Sequence, residues 1–93
     1  MAGTISVQHN AAEHRYEATV DGYLSVCEYE PVEGRWVFTH TYVPPELRGR
    51  GIAEQLVRAG LAGARATGNK VVPACSYVAR FIDRHKEYAD LLA

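Results

Sequence analysis

Through the first half of the chain, apolar and aromatic side chains return at every second position: Ile5, Val7 and His9; Tyr16, Ala18 and Val20; Leu24 and Val26; Trp36, Phe38, His40 and Tyr42. A period of two marks strands that bury one face. Turn-forming stretches separate the runs: His9-Asn10-Ala11-Ala12, Asp21-Gly22 and Glu30-Pro31-Val32-Glu33-Gly34. The pattern predicts four antiparallel strands in a meander, with a two-residue hairpin at Asp21-Gly22, where glycine readily takes positive φ.

The period then changes. Ile52, Ala53, Leu56, Val57, Gly60, Leu61 and Ala64 recur at three- and four-residue spacing, while Glu54, Gln55, Arg58 and Arg65 fall elsewhere, which predicts a long amphipathic helix. Gly68-Asn69 reads as its C-terminal cap, and Lys70-Val71-Val72 as a short buried strand stopped by Pro73. A strand, a helix and a strand in succession imply a right-handed crossover to a parallel neighbour. Ser76 to about Arg84 forms a second helix, with Tyr77, Ala79 or Arg80, Phe81 and Ile82 as a partial stripe. Glu87 to Leu92 is a helical turn whose leucines pack back. The expected fold is α+β: a compact mixed sheet, an antiparallel meander followed by a parallel pair, with one long helix packed on it and a second C-terminal helix.

With 93 residues, the sequence is expected to make a single domain over 1–93. A formal net charge of −1 disfavours nucleic acid as a partner. No apolar run reaches the ~20 residues of a membrane span, and the opening MAGTISVQHN has neither the charged nor the apolar region of a targeting segment. Cys27 and Cys75 form no CxxC pair, and no His/Cys/Asp/Glu spacing suggests a metal site. The expectation is a soluble cytoplasmic protein, monomer or homodimer, without membrane or metal.

The chemistry gathers at VPPELRGRGIAEQLV, residues 43–57. Glycine costs about 1 kcal/mol relative to alanine in a helix, so a pair at a helix entrance needs a reason. A helix N-terminus exposes unpaired N–H groups and about half a positive charge, and glycines let a phosphate approach that backbone. Leu47-Arg48-Gly49-Arg50-Gly51-Ile52-Ala53 supplies both glycines there and adds Arg48 and Arg50 as charged donors. The competing reading is a tight turn whose arginines point into water; the flanking strand, apolar helix and Pro73-broken strand favour the phosphate.

Arg48-Gly49-Arg50-Gly51-Ile52-Ala53 matches R/Q-x-x-G-x-G/A, and so resembles the pyrophosphate-binding motif of the GNAT acetyltransferase superfamily. Together with HTYVPPELRGRGIAEQLV and PACSYV, the likeness is nearer to the small YjdJ-like single-domain N-acetyltransferases and covers Val37 to Leu92. The resemblance implies acetyl-CoA as cosubstrate, in an opening where the fourth and fifth strands splay apart. Its pantetheine arm would run along Thr41, Tyr42 and Val43, and its pyrophosphate would sit on Arg48, Gly49, Arg50, Gly51, Ile52 and Ala53. Pro73 cannot donate to a ladder, which agrees with pairing that fails at that end. Larger members carry two helices between the first two strands. Here only Asn10 to His14 separates them, so the site for a small-molecule or peptide amine must be open or completed by another chain.

Cys75 follows Pro73-Ala74 and opens a helix whose dipole favours thiolate; it is either a small core residue or, as the resemblance implies, a catalytic group facing the acetyl thioester. Cys27 has no such support and is core or strand surface. His40 shares the parity of Trp36, Phe38 and Tyr42, and is either packed or a base for an amine or thiol. His9, His14 and His85 read as surface residues. Tyr77, or else Tyr88, is a candidate acid for the departing CoA thiolate, against a packing role for either. Arg80, Arg84, His85 and Lys86 form a basic run, with Arg84 and Lys86 candidates for the nucleotide phosphate of CoA and a solvated face as the alternative. The expected activity is acetyl transfer to an amine, directly or through Cys75. The rival is a CoA-binding or interaction module that retains the cleft without turnover.

Overall fold

The computed structural model describes residues 5–93; residues 1–4, the start of the stretch read as lacking a targeting segment, lie outside it. Five strands, β1 (Gln8–Asn10), β2 (Arg15–Val20), β3 (Tyr23–Val32), β4 (Arg35–Tyr42) and β5 (Lys70–Pro73), form one sheet in the order β1-β2-β3-β4-β5. The first four pair antiparallel and β5 runs parallel to β4. Helix α1 (Ile52–Ala66) supplies the crossover, and α2 (Ser76–Arg84) leads to a 3₁₀ turn at Lys86–Leu91. This is the mixed sheet and the pair of helices that the sequence pattern predicts.

Turn chemistry sets the hairpins. Asp21 and Gly22 both take positive φ, 52° and 80°, as do Glu33 and Gly34, at 47° and 80°, the conformation that matches the twist of a two-residue hairpin. The second turn is thus shorter than the predicted Glu30–Gly34 stretch. Pro31 still pairs opposite Trp36, so β3 runs through it to Val32. The first strand is also shorter than predicted: it starts at Gln8, because the Ile5 amide donates to the Gln55 side-chain oxygen on α1 (3.2 Å) instead of joining the ladder.

Helix α1 lies across one face of the sheet. Ile52, Leu56, Val57, Gly60, Leu61 and Ala64 are its buried residues, six of the seven read from the periodicity; Ala53, the seventh, is half-buried. The sheet meets them with Tyr16 and Ala18 from β2, Cys27 and Tyr29 from β3, and Trp36 and Phe38 from β4. On β3 the inward positions are therefore Ser25, Cys27 and Tyr29, whereas Leu24, read as part of the apolar stripe, is exposed. Two glycines seat the helix closely. A Cβ at Gly60 would stand 2.9 Å from the Phe38 ring, and one at Gly63 would fall on the Tyr16 hydroxyl. The helix ends at Ala66 with Thr67 as its cap, and Gly68, φ 74°, turns the chain away, with the Asn69 amide donating to the Ala64 carbonyl at 2.8 Å.

In α2, Val78, Phe81 and Ile82 are buried and Tyr77 is exposed, so Val78 takes the core place that the partial stripe gave to Tyr77. Of the tail leucines, Leu91 is buried and Leu92 exposed. The chain end is anchored by the Ala93 amide on the Val71 carbonyl (3.0 Å) and by a bidentate Arg65–Asp90 pair at 2.7 and 3.0 Å.

Candidate active site

The site begins where β4 outruns β5. Their parallel pairing ends at Phe38 opposite Pro73, and the Cys75 amide then donates to the Phe38 carbonyl (2.8 Å) as α2 starts. Proline has no N–H to carry a ladder further. From Thr39 to Tyr42, β4 has β3 on one side and no strand on the other among the described residues. β5 pairs with β4 along its whole length, so the opening arises where β4 runs on beyond Pro73 rather than from two strands splaying apart.

A register shift changes which side chains face it. Glu28 pairs with His40 but Tyr29 pairs with Phe38, so Thr39 is an extra residue in β4. Such a bulge reverses side-chain parity beyond it. Trp36 and Phe38 point to α1, and so does Thr41, opposite Cys27; His40 and Tyr42 turn to the other face, where their rings lie 13° from parallel with centroids 6.3 Å apart. His40 thus does not share the face of Trp36 and Phe38, contrary to the simple alternation, and the bulge sets it on the opposite side of the sheet from Cys75's neighbour Thr41.

Cys75 is the N-cap of α2 and is half-buried. Its sulfur lies 3.6 Å from the Thr41 hydroxyl, which in turn donates to the Cys27 sulfur at 3.8 Å. Cys27 is fully buried, and burial pushes its thiol up to about 12. It is a core residue, chemically inert beside the more open Cys75.

The entrance of α1 forms a second part. Gly49 and Gly51 take φ of 84° and 76°, a backbone that side chains with a Cβ rarely adopt. No side chain caps the helix at Gly51, and its first turn begins with the Gln55 amide on the Gly51 carbonyl (3.3 Å). The preceding helical amides are left pointing outward at the positive end of the helix dipole. They open on a cleft of about 250 Å³ lined by Val43, Arg48, Gly49, Gly51, Ile52, Ala53, Glu54 and Tyr77. The arginines have protein partners: Arg48 donates to the Val43 carbonyl (2.9 Å) and lies over Tyr42, and Arg50 pairs with Asp21 at 3.1 Å. Both are exposed, but each has a protein partner, so neither simply points into water.

Tyr77 and Glu54 also line a neighbouring groove of about 160 Å³ with Arg80, Phe81, Arg84 and His85. Burial and the Glu54 carboxylate raise the Tyr77 hydroxyl above its ordinary value, against an opposing effect of Arg84. The basic run does not act as one patch. Lys86 bonds Asp83 (3.4 Å) and lines a different groove, with Pro73 and Ile82, because α2 ends at Arg84 and Lys86 belongs to the 3₁₀ turn that follows. Tyr88 receives a hydrogen bond from Arg58 (3.4 Å) and packs on Phe81, which makes it a link between α1 and the tail.

Sequence reading missed two groups. Thr41 was read only as backbone for the pantetheine arm, since the bulge that aims its side chain leaves no mark on the alternation. His9 is exposed, as read, and what the sequence did not show is its partners: it stacks on Tyr16 with ring centroids 4.2 Å apart and shares a hydrogen bond with the Tyr29 hydroxyl (2.6 Å). Among the described residues no group of three His, Cys, Asp or Glu is placed to hold a metal ion, and no helix is long and apolar enough to cross a membrane.

No curated protein matches the chain. Its fold is similar to the solution structure of a GCN5-like protein from Staphylococcus aureus, with a TM-score of 0.76 over 96% of this chain and 88% of that one, at 23% sequence identity. The sequence profile of the GCN5-related N-acetyltransferases matches residues 15–91. With the free edge of β4 and the glycine-bounded helix entrance inside the matched span, the chain belongs to the GCN5-related N-acetyltransferase family.

Proposed function

We propose that the protein transfers an acetyl group from acetyl-CoA to a small-molecule or peptide amine in the cytoplasm, with Cys75 receiving the acetyl group first. The observation that carries this reading is the uncapped start of α1, with Gly49 and Gly51 both left-handed, beside the free edge of β4 against which Cys75 begins α2. The outward amides of the first turn and the two arginines suit a pyrophosphate. The edge of β4 that carries no strand beyond Phe38, through Thr41 and Tyr42 toward Val43, suits the amides of a pantetheine arm. Arg84, with Arg80 in the adjoining groove, is assigned to the nucleotide phosphate, and Lys86 is left out of that role.

In the proposed chemistry Cys75 loses its proton to solvent, and its sulfur attacks the thioester carbonyl as the thiolate. A carbon–sulfur bond forms to Cys75 and the bond to the CoA sulfur breaks. Tyr77, whose hydroxyl stays protonated, supplies the proton to the departing CoA thiolate. The amine then attacks the acetyl-cysteine, forming the amide, and the departing Cys75 sulfur takes up the amine proton to restore the thiol; His40, on the opposite face of the sheet, is left out of the step. Acetyl-CoA alone is expected to add the mass of one acetyl group at Cys75, and a panel of primary amines, peptides and polyamines to discharge it with release of CoA above the buffer rate. Tight CoA binding with no amine-dependent release would favour a binding module instead.

A further inference from the structure

Thr41 stands between two sulfurs and has one hydroxyl hydrogen. Toward Cys27 (3.8 Å) Thr41 is the donor, whereas at Cys75 (3.6 Å) either group can donate; with the hydrogen on Cys27, the Cys75 thiol donates to the Thr41 oxygen. The arrangement exists because the Thr39 bulge returns Thr41 to the α1 side of the sheet, opposite Cys27 in register. We propose that Thr41 is the positioning residue for Cys75: its hydroxyl holds the thiol at the open edge of β4 and turns its hydrogen from Cys27 to the Cys75 sulfur when that sulfur ionises.

The two sulfurs differ in the way this requires. Cys27 is fully buried and stays a neutral thiol, a weak acceptor that the hydroxyl can leave at little cost. An ionised Cys75 is a far stronger acceptor, and a hydrogen bond to a charged group is worth more than one between neutral groups. Thr41 therefore favours the ionised over the neutral form of Cys75, while Cys27 holds the hydrogen in the resting state. The Cys75 proton passes to solvent at the open edge of β4, and Thr41, whose own protonation does not change, exchanges one hydrogen bond for another. The inference rests on the reading of Cys75 as the nucleophile.

The test is the pH–rate profile of Cys75 alkylation by iodoacetamide, followed by mass spectrometry, in wild type, Thr41→Val and Thr41→Ser. Valine keeps the shape and removes the hydroxyl, so its profile is expected to move to higher pH with about a tenfold lower rate at neutral pH, the scale of one charge-assisted bond. Serine restores the hydroxyl and is expected to return the profile to that of wild type. Cys27→Ala keeps Thr41 and is expected to leave the profile in place or move it to lower pH. Coincident profiles for wild type and Thr41→Val, or a serine variant that folds but behaves like valine, would overturn the assignment. Absence of amine-dependent CoA release in wild type would instead overturn the transferase reading, and the alkylation profiles would still decide the role of Thr41.

Discussion

The Cys75 amide donates to the Phe38 carbonyl at 2.8 Å, and this bond closes the contact between β4 and the segment after β5. It joins the end of the parallel pairing, the start of α2 and the candidate nucleophile in one place.

The bond is made by the backbone, so Cys75→Ala should retain it. The side chain is half-buried, and its loss is expected to cost at most about 1 kcal/mol of stability, measured by urea denaturation. Acetyl capture from acetyl-CoA should vanish in the same variant. A Cys75→Ala protein that still acquires an acetyl group on another residue at the wild-type rate would remove Cys75 from the chemistry.

Close helix–sheet contact is the basis of a second expectation. Gly63→Ala gains helix propensity, but its Cβ meets the Tyr16 hydroxyl, and the net effect should be a loss of about 1–3 kcal/mol. Tyr16→Phe removes the obstructing oxygen and should recover much of that loss in the double variant. Thermal unfolding of the four proteins forms the cycle; purely additive changes would mean that the helix shifts rather than meeting Tyr16.

These glycines show how far the sequence could be read. Binary pattern and turn chemistry sufficed for the sheet order and both helices, because period two, period three to four and glycine or proline breaks are local signals. Gly60 fell on the predicted apolar face, but the close approach of Gly63 to Tyr16 is a tertiary fact with no local trace. The same holds at the site. Arg48-Gly49-Arg50-Gly51 was legible as an anion cradle because the chemistry is carried by the backbone of one short stretch. Thr41 and His40 were not, since a single extra residue at Thr39 exchanges the faces of the positions beyond it. Lys86 was grouped with Arg84 by sequence, and the end of the helix separates them.

His9 provides a dependence on pH. His9 is exposed overall, but partial desolvation of its ring beside Tyr16 and Tyr29 lowers its affinity for a proton below the ordinary histidine value of 6.5. The unfolded chain therefore binds that proton more readily than the folded one, and stability contributed by neutral His9 is full above pH 6.5 and lost as pH falls from there through the lowered folded value. Melting temperatures of wild type and His9→Gln are expected to differ most near neutral pH and to converge toward pH 5. A difference that widens on acidification would mean the ring is stabilised as a cation.

The central claim is that the α1 entrance seats the CoA pyrophosphate. Gly51→Glu tests it poorly, because Gly51 has a φ of 76° and any side chain there is strained. Ala53 is better suited: it is half-buried, lines the cleft and has helical backbone, and an acid in the first turn favours the helix by about 0.3–1 kcal/mol. Ala53→Glu should therefore be at least as stable as wild type, while its carboxylate occupies and repels the place of the phosphates. Calorimetric titration of CoA into the two proteins is expected to show binding in wild type and at least about tenfold weaker binding in Ala53→Glu, whereas equal affinities would place CoA elsewhere.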